Sequence, residues 1–86
     1  MLKDIIEYDG KTYQLSTIVL KKYCDILETK VFHIENGIVS DYEVFCFRAL
    51  TINKALDCHY DILHHSKKYL NDKAIKEYLR KKEEED

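Results

Sequence analysis

The 86-residue chain has no proline, no tryptophan, one methionine and two glycines. With no proline, and glycine only at Gly10 and Gly37, no stretch has the composition of a flexible linker, so the sequence predicts one domain rather than two. Two isolated glycines also exclude a glycine-rich loop for cradling phosphates. No apolar run approaches the roughly twenty residues that a membrane helix requires, and charges stand near the N-terminus where a signal peptide would be apolar. No charge of one sign dominates: fourteen Lys and Arg stand against sixteen Asp and Glu, a formal net charge of -2. Residues 81–86 hold two of the bases and four of the acids, which leaves twelve against twelve in the remainder. A balanced body lacks the basic surplus that grips phosphates, so nucleic acid is not an expected partner. Cysteine is scarce and odd in number. Cys24, Cys46 and Cys58 sit in apolar segments, unlike the dense even framework of a secreted miniprotein, and this points to a reduced, cytoplasmic compartment.

What is present is 45% hydrophobic and 12% aromatic, enough for a packed core. Leu2 to Leu15 alternates around Asp9-Gly10, a pair that supplies the positive φ angles of a tight hairpin turn. From Thr17 to Glu28 the spacing of Leu20, Tyr23, Cys24 and Leu27 predicts a helix, with Ser16 as its N-cap. Lys30 to Ile34 reads as a third short strand that ends in the turn signal Glu35-Asn36-Gly37. Ser40-Asp41-Tyr42-Glu43 has the form of a capping box, so a central buried helix is expected from there to about Leu56. Asp61 to Leu70 and Ala74 to Leu79 read as a helical hairpin or one long helix, and residues 81–86 as a charged, disordered tail after a domain spanning 1–80. The order β-β-α-β-α-α-α predicts an α+β domain in which an N-terminal hairpin and a third short strand pack against four helices.

Few residues suggest chemistry. Cys58, His59, His64 and His65 form the densest group of potential metal ligands, but they lack the paired spacings of structural zinc sites. They are read as a buried thiol and surface histidines, and zinc is kept as an alternative that elemental analysis would test. Cys24 and Cys46 lie on apolar faces without an adjacent base, which suits packing better than nucleophilic catalysis. No enzyme and no cofactor are expected. The seven tyrosines are read mainly as half-buried rings, with Tyr8, Tyr42 and Tyr60 the ones most available to a partner.

Asp9-Gly10-Lys11 with Tyr13, Ile18-Val19-Leu20, and Cys24-Asp25 with Leu27 resemble the start of a BTB/POZ domain, the superfamily that includes elongin C. Val31 to Ile34 resembles the strand that follows there, and Ser40 to Leu50 with Phe45 resembles its next helix. Tyr69-Leu70, Ile75 and Tyr78-Leu79 are similar to its closing helical pair. The resemblance implies a protein-interaction module that binds itself, a substrate adaptor or a cullin scaffold, without cofactor or catalysis. For the elongin-like branch it places the partner surface on the exposed side of Ser40 to Asn53 and on the loop after Ile34, with Tyr42, Glu43 and Phe45 as partner-binding residues. The opening segment is also similar to tail assembly chaperones of long-tailed phages. The Lys, Tyr, Ile and Asn richness suits an AT-rich genome, viral or otherwise.

Overall fold

A computed structural model describes residues 2–20 and 26–85. Four strands, β1 (Leu2–Tyr8), β2 (Lys11–Leu20), β3 (Ile26–Glu35) and β4 (Ile38–Ala49), form one antiparallel sheet in the order β1-β2-β3-β4. Three helices follow: α1 (Ile52–His64), α2 (Ser66–Leu70) and α3 (Asp72–Glu85). The turn between β1 and β2 uses Asp9 and Gly10, at φ 52° and 74°, and that between β3 and β4 uses Asn36 and Gly37, at φ 53° and 76°. Two successive left-handed residues match the right-handed twist of the flanking strands, and Asn, Asp and Gly adopt that conformation most readily.

This architecture corrects the expected hairpin and third strand packed against four helices. The expected helix over Thr17 to Glu28 is the end of β2 and the start of β3, so Ser16 caps nothing and pairs with Lys30 across the sheet. Tyr23, Cys24 and Asp25 lie outside the described residues. The expected central helix from Ser40 is β4 as far as Ala49. Ser40 Oγ accepts a hydrogen bond from the Tyr42 amide at 3.2 Å, a local turn motif inside a strand rather than a helix cap. Both misread segments are rich in residues that favour a pleated surface: Thr17, Ile18 and Val19 in one, Val44, Phe45 and Phe47 in the other. Alternation then sorts their side chains. Phe45, Phe47 and Ala49 stand opposite Val31, Thr29 and Leu27 on the helix-covered face, while Cys46 and Arg48 stand opposite Lys30 and Glu28 on the other.

The first helix of the structure begins at Ile52 rather than at Ser40, and the last at Asp72 rather than at Ala74. Thr51 caps α1 by accepting from the Lys54 amide at 3.2 Å, and Asn71 Oδ1 accepts from the Ala74 amide at 2.9 Å at the entry to α3. Helix α3 continues through the segment expected as a tail, and Lys82 reaches back to Glu43 Oε1 at 2.7 Å. The main core joins Ile6, Tyr13, Leu15 and Val31 of the sheet to Ile62 of α1 and Leu70 of α2. A smaller one joins Leu27, Ala49 and Ala55. Their side chains lie between the sheet and the helices, and the residues of the opposite sheet face, among them Ile5, Gln14 and Phe32, belong to neither. Among the described residues no helix is long and apolar enough to cross a membrane.

Candidate functional site

Three arrangements of polar and aromatic side chains stand out from the packing. The first is a buried hydrogen-bonded chain through four elements. Thr29 Oγ1 lies 2.7 Å from Thr17 Oγ1, which lies 2.8 Å from His59 Nδ1, and His59 Nε2 lies 2.7 Å from Asp4 Oδ2. An ionised carboxylate only accepts, so Nε2–H donates to Asp4. With that proton on Nε2, Nδ1 either accepts from the Thr17 hydroxyl or, when the ring carries a second proton, donates to it, and the Thr17–Thr29 hydroxyl pair turns accordingly. The order acid, imidazole, hydroxyl is that of a catalytic triad. Its hydroxyl, however, is on a residue only 4% exposed in a central strand, where Oγ1 is already engaged by both His59 and Thr29. What the chain does in this geometry is tie β1 and α1 to β2 and β3. His59, expected at the surface, is fully buried, and among the described residues no buried side-chain nitrogen or oxygen lacks a partner.

The second arrangement is ionic and lies on the opposite sheet face. Glu28, 3% exposed, receives Arg48 Nε at 2.9 Å on Oε2 and Lys30 Nζ at 3.1 Å on Oε1. Burial alone would raise the Glu28 carboxyl, but the hydrogen bonds from Lys30 and Arg48 outweigh it and hold the group below its ordinary value of 4.5. Glu43 is likewise lowered, chiefly by its hydrogen bond from Lys82.

The third is an aromatic groove between β4 and α1. Phe45 and Phe47 of β4, Cys58 of α1 and Tyr69 of α2 line it, Lys54, Asp57 and Asp61 rim it, and its volume is about 520 Å³. Phe45 meets Tyr69 edge-on with centroids 5.2 Å apart, and Tyr78 at 6.0 Å, so the floor is a fixed aromatic cluster. Tyr69 donates to Asp61 Oδ2, which Lys68 also approaches at 3.3 Å. Burial and that carboxylate push the Tyr69 hydroxyl up to about 12, and the Tyr69 hydrogen bond lowers Asp61. Burial also pushes the Cys58 thiol up to about 11 and raises Cys46, which keeps both as thiols rather than nucleophilic thiolates at neutral pH.

The residues singled out in the sequence separate. Tyr42 is 76% exposed on β4, Glu43 is turned to Lys82, and Phe45 is half-buried in the groove floor. Cys58 packs against the main core and His59 faces Asp4. His64 stacks on Tyr60 with centroids 6.2 Å apart, and His65 stands exposed at the junction with α2. Among the described residues no three His, Cys, Asp or Glu side chains converge to hold a metal ion. The His59 chain could not be found by spacing, because its partners stand 42 and 55 positions away in sequence. Comparison with family models, with curated proteins and with solved structures returned no match.

Proposed function

We propose that this chain is a non-enzymatic protein-interaction module that engages a folded partner along β4 and the turn into α1. The observation that carries this reading is the concentration of exposed apolar side chains there. Of ten large hydrophobic residues exposed among the described ones, six fall between positions 38 and 52: Ile38, Val39, Tyr42, Phe47, Leu50 and Ile52. Leu50 is 77% and Ile52 62% exposed, a cost in water that a partner would remove. The aromatic groove beside them supplies a rigid, partly wet floor with charges of both signs on its rim, the composition of a protein-binding surface rather than of a substrate pocket. This surface overlaps the segment from Ser40 to Asn53 that the BTB/POZ resemblance indicates, but presents it as a strand and a turn.

Leu50 and Ile52 make the decisive variants because they lie outside both core clusters. Affinity capture from the native host with wild type, Leu50→Asp and Ile52→Asp, each shown folded by circular dichroism, should yield a partner that wild type retains. Either substitution should weaken its binding roughly tenfold or more, as for a central apolar contact. A partner held equally by both variants, or no partner at all, would contradict the assignment. Tyr42→Ala should weaken the same complex, while Phe45→Ala would mix lost binding with lost packing.

A further inference from the structure

The two edges of the sheet are treated differently. On β4, register shifts interrupt the pairing between Val31 and Ile34, and α3 leans on the strand through Tyr78 and Lys82. Strand β1 has no register shift, and the helix that packs on it, α2, meets its core face through Ile6 and Leu70. The strand pairs without interruption from Leu2 to Tyr8, its inner side is bonded to β2, and its outer side is the end of the sheet. A regular edge of seven residues is a template for another strand, and proteins normally blunt such edges with bulges, proline or charge. Here charge is present, and its placement is informative.

We infer that two copies of this chain pair through β1, antiparallel about a two-fold axis normal to the sheet, to make one continuous eight-stranded sheet. Such an axis keeps side chains on matching faces only where opposed residue numbers sum to an even value. Centred on Ile5, the pairing sets Ile5 against Ile5 of the second copy and Leu2 against Tyr8. It also sets Lys3 against Glu7, twice by symmetry. Centred on Asp4 it would oppose two Asp4 carboxylates, and centred on Ile6 it would set Ile5 against Glu7 and leave Lys3 beyond the seam. One register alone neutralises the edge charges and covers Ile5, which is 60% exposed. Within the monomer Lys3 and Glu7 stand beside Ser16 and Thr12, so neither has an oppositely charged neighbour on β2. The inference goes beyond the proposed function and does not depend on it, since β1 and β4 are opposite edges of the sheet.

Sedimentation equilibrium of the intact chain over a wide concentration range should show a reversible monomer–dimer equilibrium. Lys3→Glu or Glu7→Lys, which turns two attractive pairs into two repulsive ones, should weaken it about tenfold or more, and the double reversal should restore it. Circular dichroism would confirm that each variant folds. Independently of those variants, Ile5→Cys should give an interchain disulfide under mild oxidation that wild type does not. A residue opposite its own symmetry mate brings Cα atoms about 4.5–5.5 Å apart, within disulfide range. A chain that stays monomeric to millimolar concentration, a dimer indifferent to the charge reversals, or an Ile5→Cys variant that fails to crosslink would overturn the inference.

Discussion

Replacing His59 with alanine should cost about 3 kcal/mol of folding stability, within the 2–5 range for emptying a buried site of this size. The side chain is fully buried, and its loss does more than leave a void. The Thr17 hydroxyl loses the ring nitrogen it meets at 2.8 Å, and the Asp4 carboxylate loses its donor at 2.7 Å. Asp4 is 39% exposed at its side chain and can turn to water, whereas Thr17, 4% exposed, cannot. Asp4→Asn should therefore cost less, about 1–2 kcal/mol. The two losses should not add, because both break one contact. Urea denaturation of the two single variants and the double variant measures this. Because the chain joins β1 and α1 to the central strands, amide exchange in β1 should rise more in His59→Ala than exchange in β4.

Glu28→Gln should cost about 1.5–3 kcal/mol at neutral pH, the worth of charge-assisted hydrogen bonds to a buried carboxylate. The side chain is 4% exposed, while Lys30 and Arg48 are 30% and 68% exposed and rehydrate when the charge is removed. The same residue sets an acid dependence. Its folded carboxyl sits below the ordinary 4.5, so the folded state binds this proton less readily than the unfolded chain. The stability it contributes is complete above the unfolded value and drains away as pH falls through the lower folded value. Wild type should lose stability as pH is taken down from about 4.5, and Glu28→Gln should flatten part of that slope. Glu43, lowered mainly by Lys82, should supply a further part. Thermal midpoints at a series of pH values would show both, and equal slopes in wild type and Glu28→Gln would refute the role given to this carboxylate.

What could be read in the sequence was the punctuation. Asp9-Gly10 and Asn36-Gly37 mark tight turns because few other residue pairs adopt two successive left-handed conformations cheaply, and both are turns in the structure. The segments between turns were harder. Leu20 and Leu27 fit a helical stripe, and so do Val44, Phe45 and the residues after them, yet both segments also fit alternation. A short apolar run satisfies either period. What decides is pairing with β3, whose register partners lie far away in the chain and leave no local trace. The Ser40-to-Glu43 pattern misleads for the same reason, since its hydroxyl binds a nearby amide in a strand as readily as in a helix. At the candidate site, Tyr42 and Phe45 were legible as aromatic residues of the segment from Ser40 to Asn53, for which a partner is proposed. Glu43 instead carries an ion pair to Lys82, and the exposure of Leu50 and Ile52 follows from the end of β4, which a helical reading hides.

The groove, the exposed flank and the helix-covered face all depend on residues 38–49 forming a strand against β3. Solution NMR of the labelled chain tests this most directly. The sheet topology predicts interstrand contacts linking Phe45, Phe47 and Ala49 to Val31, Thr29 and Leu27, with extended-chain couplings throughout the segment. Strong successive amide contacts and three-residue helical contacts from Ser40 to Leu50 would contradict it, and with it the surface assigned to a partner.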